Sequence, residues 1–190
     1  MTALAQSIPR PRGAARLAVD AGLVLTGSLV VAALAQVELH LTPYVPVTGQ
    51  TLGVLVVGAA LGWARGGLSM LLYIAEGALG LPFFAGGESF VPTLAFPTGG
   101  YIWGFVAAAG VVGYLAERGW DRTLGGAIGA MFVGEVIILA CGVPWLAASL
   151  GMPAEEALAI GLYPFIIGDA IKLLLAAGAL PLAWRLVGRR

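Results

Sequence analysis

The chain has few of the side chains that most enzyme and metal sites need. Of its 190 residues, one is a cysteine (Cys141) and one is a histidine (His40). A lone cysteine excludes an intramolecular disulfide, and a lone histidine excludes the two-histidine HExxH zinc motif. The GxxxxGK[ST] phosphate loop is also absent, so the chain lacks that route to ATP hydrolysis. These absences exclude a Cys-rich metal site and a zinc enzyme of the HExxH type.

Charged side chains are scarce as well. They make up 11% of the residues, whereas 59% are apolar. Soluble domains are typically about half apolar and about one quarter charged. A soluble protein with the present composition would have too few charged side chains to cover its surface. The 29 glycines lie inside apolar runs, which argues against a disordered chain. Ten basic and ten acidic side chains cancel, so nucleic acid is not an expected partner. The composition indicates an integral protein of the lipid bilayer.

The apolar runs predict an all-α bundle of six transmembrane helices. These runs cover residues 17–37, 49–64, 68–79, 99–116, 124–148 and 164–187. A chain of 190 residues has room for about six spans of roughly 20 residues with short loops. We expect one membrane domain over residues 1–190, with residues 1–15 as a polar N-terminal segment. The first run could also be a secretory signal, but it is longer than the core of about 7–15 residues that signals use, which favours an uncleaved helix.

Breaks between these runs predict the connections. The sequence Arg65-Gly66-Gly67 predicts a tight turn between the second and third helices, and Gly142 and Pro144 predict a disturbance in the fifth. Residues 152–162 predict a short amphipathic turn. Residues 80–98 contain repeated prolines and glycines together with four phenylalanines. This combination favours a structured outer loop, between the third and fourth helices, that folds over a cavity.

The arginines orient the bundle. With the N-terminus in the cytoplasm and six spans, every arginine falls on the inner side, as the positive-inside rule requires. The arginines are Arg10, Arg12, Arg16, Arg65, Arg118, Arg122, Arg185, Arg189 and Arg190. The outer loops carry only acidic charges, which are Glu38, Glu88, Glu155 and Glu156. We predict a multi-pass protein of the cytoplasmic inner membrane with both termini in the cytoplasm.

Two opposite charges lie inside the last predicted helix. Lys172 is the only lysine, and Asp169 precedes it by three residues, which places both on one helical face. A charge at bilayer depth costs about 2.5–3.5 kcal/mol on insertion scales. The pair either neutralises itself or joins two helices, or it forms part of a site for a polar ligand in the outer half of the membrane. The sequence favours the ligand site.

Other polar positions are expected near the same level. Glu76 ends the third helix and is either a solvated carboxylate or part of the pocket. Thr48, Gln50 and Thr51 begin the second helix, and Thr98 to Tyr101 begin the fourth, where free N–H groups attract anions or simply need capping. Glu135 lies in the middle of a span, and its role stays open between contact with another helix and contact with a partner subunit. Asp20 and Arg16 predict a surface ion pair.

Small residues recur along one face of the first helix at Ala14, Ala18, Gly22 and Thr26, with Ser28 and Ala32 nearby. Such a stripe allows close helix packing. It serves either internal packing or docking to another membrane subunit.

Four runs of residues stand out in order along the chain: PVTGQTL at 46–52, EGALGLPFFAGG at 76–87, PTGGY at 97–101 and PFIIGDAIK at 164–172. They resemble the BioY family, the biotin-binding S components of energy-coupling factor (ECF) transporters, and the similarity extends from about residue 17 onward. The resemblance implies a six-helix bundle that captures biotin near the outer surface and covers it with a loop, and that is not itself an enzyme and needs no cofactor. It also implies a transmembrane coupling subunit and ATPase subunits as partners, with the small-residue face of the first helix as the docking surface.

The resemblance implies which residues contact biotin. The ureido ring would bond to Asp169 as acceptor and Lys172 as donor, and the thioether ring would pack on Tyr73, Phe84 or Tyr101. The carboxylate would meet the helix starts at Gln50 or at Gly99 to Tyr101, although which end of biotin meets Lys172 stays open. The full expected set is Gln50, Tyr73, Glu76, Phe84, Gly86, Thr98, Gly99, Tyr101, Asp169 and Lys172.

Three alternatives stay open. The nearest is an S component for another vitamin or for a biotin precursor. A lone lysine in a terminal helix also suits a chromophore bound as a Schiff base. An intramembrane hydrolase using Glu76 or Glu135 is the least favoured, because the usual partners of such a carboxylate are missing.

Overall fold

The computed structural model describes residues 3–6, 12–39, 44–89 and 95–187, and helices dominate it. Within these residues there are seven α-helices: α1 Ala14–Ala35, α2 Gln50–Leu61, α3 Trp63–Ala78, α4 Gly99–Glu117, α5 Leu124–Leu150, α6 Ala154–Gly161 and α7 Phe165–Val187. Single 3-10 turns occupy Leu4–Gln6, Ala85–Gly87 and Trp120–Arg122. The mostly helical fold predicted from the sequence is confirmed.

Four of the described helices, α1, α4, α5 and α7, are long and apolar enough to cross a bilayer. The helix α2 is apolar but has 12 residues, and α3 has 16. The helix α6 has eight residues and corresponds to the predicted amphipathic turn. The chain is therefore an integral membrane protein whose helices differ in length.

The turn between α2 and α3 lies at Gly62, so the prediction of a turn at Arg65-Gly66-Gly67 is wrong. Gly62 has φ 86°, a backbone conformation that favours glycine, and it ends α2 directly before α3 begins. Gly66 lies inside α3, where a Cβ would come within 2.9 Å of the Cα of Gly58. This glycine permits close helix packing rather than a turn.

The fifth predicted helix is also more regular than expected. The helix α5 continues through Gly142 and Pro144 to Leu150. A Cβ on Gly142 would overlap the ring of Tyr101 on α4. The glycine near Pro144 thus makes room for an aromatic ring from the neighbouring helix, and the helix is not interrupted at the predicted disturbance.

A short hairpin precedes α2. Strand β1, Glu38–Leu39, pairs antiparallel with β2, Val47–Thr48, so that Glu38 lies opposite Thr48. His40, in the segment between the strands, lies outside the described residues. Because α2 begins two residues after β2, the hairpin fixes the position of Thr48 and Gln50.

The segment after α3 folds back onto the helices. The ring of Phe84 is 1% exposed and lies edge-on against Tyr73, with 5.4 Å between ring centroids. A Cβ on Gly77 would overlap the Phe84 ring, so glycine at this position creates the slot. Gln36, after α1, donates from Nε2 to the Phe84 carbonyl at 3.2 Å. Phe90 and Pro92 lie outside the described residues.

Charged side chains near the starts of α1 and α3, at the end of the bundle opposite the hairpin, form ion pairs with one another. The Asp20 carboxylate lies 2.5 Å from Arg65 Nη2 and 3.8 Å from Arg16 Nε. The expected pair of Asp20 with Arg16 is present, and Arg65 adds a shorter contact from α3.

The small-residue stripe of α1 divides into two parts. Ala14, Ala18, Gly22 and Thr26 are exposed. In contrast, Ser28 and Ala32 are buried. Internal packing therefore explains Ser28 and Ala32. It does not explain the four exposed residues of the stripe.

Candidate functional site

A narrow cavity lies among α2, α4, α5 and α7, below the hairpin. Its polar lining consists of Thr48, Gln50, Thr51, Thr98, Tyr101, Glu135, Asp169 and Lys172. Apolar side chains, among them Ile102, Phe105 and Ile138, form the remaining wall. An apolar enclosure with a few convergent polar groups is the usual form of a small-molecule site.

The ammonium group of Lys172 is the centre of the polar cluster. It lies 2.6 Å from Asp169 Oδ1, and it donates to the Thr48 carbonyl at 2.9 Å and to Thr51 Oγ1 at 2.8 Å. An ammonium group has three donors, so these contacts engage all of them. Lys172 thereby joins α7 to the end of β2 and the first turn of α2.

The position of this pair follows from helix geometry. Asp169 and Lys172 are three residues apart on α7 and share one face. Side chains on a helix lean toward its N-terminus, which lets the longer Lys172 reach toward Thr48. The ion pair that the sequence predicted is present and faces the cavity.

Acceptors outnumber donors at the inner end of the cavity. Asp169 is 5% exposed and Glu135 is 6% exposed. Within the described residues, no donor bonds to Asp169 Oδ2 or to either carboxylate oxygen of Glu135. Buried polar groups nearly always have partners, so these oxygens suit a ligand that brings its own N–H or O–H donors.

A chain of hydrogen bonds connects the cavity wall to the segment after α3. Thr48 Oγ1 donates to Gln50 Oε1 at 2.9 Å, and Gln50 Nε2 donates to the Tyr73 hydroxyl at 2.5 Å. The Tyr73 hydroxyl in turn donates to the Phe83 carbonyl at 3.1 Å. The rotamer of Gln50 is thus fixed by groups on both sides.

Aromatic rings form another part of the wall. Tyr101 stacks on Phe165, with 6.2 Å between centroids and 23° between planes. Its hydroxyl donates to the Gly161 carbonyl at 2.8 Å, so the polar end of the ring is satisfied inside the protein. The ring face is left as an apolar surface for a ligand.

Five of the ten expected site residues line this cavity: Gln50, Thr98, Tyr101, Asp169 and Lys172. Three others lie elsewhere. Tyr73 is fully buried behind Gln50. Phe84 and Gly86 line a separate groove beside the hairpin, next to Glu38 and Thr98.

Glu76 and Gly99 have local roles in the described residues. Glu76 accepts the Leu81 N–H through its main-chain carbonyl, and its Oε2 is buried without a donor in this part of the chain. Gly99 begins α4, and its N–H bonds to the Phe96 carbonyl at 2.9 Å. The Tyr101 N–H bonds to the Thr98 carbonyl at 3.1 Å. These two amides of the α4 start are therefore engaged within the chain.

Several lining residues were not among the expected set, and three of them bond or pack at the cavity's polar and aromatic parts. Thr51 accepts from Lys172, Phe165 stacks on Tyr101, and Glu135 lies beside Asp169. Glu135 had a signal in the sequence, because a carboxylate in the middle of a span needs a partner. Across the described ranges, no group of three or more metal-ligating side chains could hold a metal ion.

The chain is similar to members of a known protein family. The family model described as "BioY family" matches residues 7–189. The chain is 37% identical over 140 residues to the biotin transporter BioY of Rhizobium etli, covering 70% of this chain and 74% of that protein. It is 39% identical over 140 residues to the biotin transporter BioY of Rhodobacter capsulatus, covering 68% and 73%.

A solved structure has a similar fold. It is a crystal structure of the S-component for biotin from an ECF-type ABC transporter. The TM-score is 0.76 at 22% identity, and the match covers 90% of this chain and 93% of the other. A family model that spans nearly the whole sequence, together with relatives of this similarity, places the chain: it belongs to the BioY family.

Proposed function

We propose that this chain captures biotin with high affinity and serves as the substrate-binding subunit of an ECF-type transporter. The observation that carries the proposal is the buried Asp169–Lys172 pair, which faces an otherwise largely apolar cavity. The relatives named as biotin transporters and the S-component fold support the same conclusion.

The chemistry of the cavity suits the two ends of biotin differently. The ureido ring carries two N–H donors and a carbonyl acceptor, and the fused thioether ring is apolar. The free carboxylate oxygens of the cavity match the N–H donors, and Tyr101 and Phe105 offer apolar contact. The valerate carboxylate of biotin would be repelled by Asp169 and Glu135. We therefore propose that the ring system enters first and the valerate chain lies toward Thr98 and the groove beside the hairpin.

The proposed site combines the lining residues with those behind them. Gln50, Thr98, Tyr101, Asp169 and Lys172 would contact the ligand directly. Tyr73 would hold Gln50 in place, and Gly99 would position the start of α4. Phe84 and Gly86, with Glu76 at the end of α3, would shape the covering segment. No cofactor is expected, since binding needs only these groups.

The membrane arrangement we propose has six spans, formed by α1 to α5 and α7 in one domain. The helix α6 is too short to cross, because eight residues rise only about 12 Å. Both termini then lie in the cytoplasm, in the cytoplasmic membrane. The contacts of Arg16 and Arg65 with Asp20 at one end of the bundle support this orientation.

Energy would come from partner subunits, since no phosphate-loop motif occurs in the sequence. We propose a transmembrane coupling subunit that docks on the exposed part of the α1 stripe, Ala14, Ala18, Gly22 and Thr26, together with ATPase subunits. Small exposed residues allow another helix to approach closely. The chain itself would not be an enzyme.

Titration calorimetry of the purified protein tests the proposal. We expect biotin to bind at least about a hundredfold more tightly than riboflavin or thiamine, because neither of those vitamins carries the two N–H donors of a cyclic urea on a compact apolar ring system. Binding of biotin no tighter than of those vitamins would disprove it. Dethiobiotin, which keeps the ureido ring, tests the precursor alternative, and visible absorption of the purified protein would reveal a chromophore bound to Lys172.

A further inference from the structure

Glu135 is the one carboxylate of the cavity that the ion pair does not account for. It lies in the middle of α5, is 6% exposed and lines the same cavity as Asp169 and Lys172. Its carboxyl group lies beside that of Asp169. Its position is therefore inside the cavity wall rather than at the lipid surface.

No N–H or hydroxyl group in the described part of the chain donates to this carboxylate. Both of its oxygens are buried, and the group within hydrogen-bonding reach of them is the Asp169 carboxyl, which is itself an acceptor when it is ionised. Lys172, the nearest cation, already directs its three donors to Asp169, Thr48 and Thr51. A buried polar group without a partner lowers the stability of the folded protein, so its presence calls for an explanation. A packing role gives none, because an apolar side chain would fill the same space without that cost.

The chemistry of a cyclic urea supplies the missing partner. Its two N–H groups point in diverging directions on either side of the carbonyl, so one carboxylate cannot accept both bonds with good geometry. Asp169 Oδ2 and the two Glu135 oxygens are free acceptors on α7 and on α5 respectively. Two carboxylates on different helices can each meet one N–H group.

We propose that Glu135 is a ligand-binding residue that accepts one ureido N–H of biotin, while Asp169 accepts the other. This assignment rests on the proposed function and deepens it. It states that the cavity recognises biotin by both N–H groups of its ureido ring. Analogues that lose either N–H leave a buried carboxylate unpaired and should be rejected.

The test uses the full chain in detergent and measures affinity by calorimetry. The variants are Glu135→Leu and Glu135→Gln, and Glu156→Leu on α6, an exposed carboxylate, is the matched control. The ligands are biotin and its two derivatives that carry one methyl group on either ureido nitrogen. We expect Glu135→Leu to weaken biotin binding at least about tenfold, and Glu156→Leu to change it less than about twofold.

The methylated ligands separate contact from indirect effects. The derivative that lacks the N–H facing Glu135 should lose no further affinity in Glu135→Leu, whereas the other derivative should lose about tenfold, as biotin does. Equal losses for all three ligands, or biotin affinity within about twofold of the unsubstituted chain, would overturn the assignment. If Glu135→Leu does not fold, the three ligands are compared with Glu135→Gln instead. We then expect biotin affinity to fall about threefold, because the amide oxygen of glutamine is a weaker acceptor than a carboxylate.

The failure of the proposed function is distinguishable from the failure of this assignment. If the unsubstituted chain does not bind biotin at all, the proposed function fails, and the role of Glu135 falls with it. If the unsubstituted chain binds biotin and the ligand pattern is absent, only the role of Glu135 is wrong.

Discussion

Trp184 on α7 donates its indole N–H to Asp121 Oδ2 at 2.5 Å, which ties the end of the last helix to the 3-10 turn between α4 and α5. Asp121 is fully buried, and its Oδ1 has no donor within the described residues. The guanidinium of Arg122 lies 4.5 Å from the centre of the Trp184 ring. This contact fastens the end of the bundle opposite the cavity.

We expect Trp184→Phe to destabilise the protein by about 1–3 kcal/mol, because it leaves a buried carboxylate without its donor. The aromatic ring under Arg122 is kept, so the change isolates the hydrogen bond. Thermal unfolding in detergent measures the effect. Trp103→Phe, at an exposed position on α4, is the control, and an equal effect of both substitutions would contradict the prediction.

The stability contributed by Asp121 should fall as pH rises. Burial raises the pKa of its carboxyl above the ordinary value of 3.8, and the Trp184 hydrogen bond opposes that shift only in part. The folded protein therefore binds the proton more tightly than the unfolded chain does. The contribution is complete below about pH 4 and is lost as pH rises through the folded-state pKa.

Asp121→Asn tests this dependence, because asparagine stays neutral and keeps an oxygen for Trp184. The melting temperature of the variant relative to the unsubstituted chain should increase as pH is raised from about 4, then level off. A difference that stays constant over the whole range would show that Asp121 does not titrate in this way.

Asp169→Asn and Lys172→Met should each weaken biotin binding at least about tenfold, since each removes one member of a buried charged pair. Calorimetry measures the affinity. Lys172→Met also leaves carboxylates without their cation, so the double variant should unfold at a higher temperature than Lys172→Met alone. Unchanged affinity in both single variants would mean that the pair only holds helices together.

The sequence predicted the fold well where the signal was the length and polarity of a run. The starts of α4 and α5 at Gly99 and Leu124 agree with the apolar runs. Glycine was less informative, because it serves both turns and close packing. Gly62 has a positive φ and makes the turn, whereas Gly66 has a helical neighbour within contact distance. Neighbours in space decide between these uses, and one sequence does not contain them.

The charged residues of the site could be predicted from the sequence, whereas most of its aromatic and apolar residues could not. Asp169 and Lys172 stood out because charges are rare in such helices. Tyr73 and Phe84, in contrast, are aromatic residues among many, and their positions behind the cavity wall and in the groove beside the hairpin depend on how the segment after α3 folds back. The apolar wall at Phe105 and Ile138 arises from two helices whose relative rotation the sequence does not specify.

Gly142→Ala should weaken biotin binding about tenfold and lower stability by about 1–3 kcal/mol, because overpacking displaces neighbouring groups. The new Cβ would overlap the ring of Tyr101 and disturb its bond to the Gly161 carbonyl. Calorimetry and thermal unfolding measure the two effects. Gly178→Ala on α7 is the matched control, since a Cβ there meets nothing within 4 Å. If both substitutions behave alike, the ring contact does not shape the cavity.

The close contacts at Gly58 have a consequence for ligand binding. A Cβ on Gly58 would lie 2.7 Å from the Ala109 carbonyl oxygen, and one on Gly66 would lie 2.9 Å from the Gly58 Cα, so α2, α3 and α4 touch backbone to backbone. Backbone atoms of these three helices therefore meet without intervening side chains at these positions. The helix α7 packs on the bundle through the buried Ala176, Ala177 and Leu180, and near the cavity it is joined to β2 and α2 by the polar bonds of Lys172. A ligand that took over those bonds would replace the polar contacts of α7 at the cavity and leave the backbone contacts of α2, α3 and α4 in place.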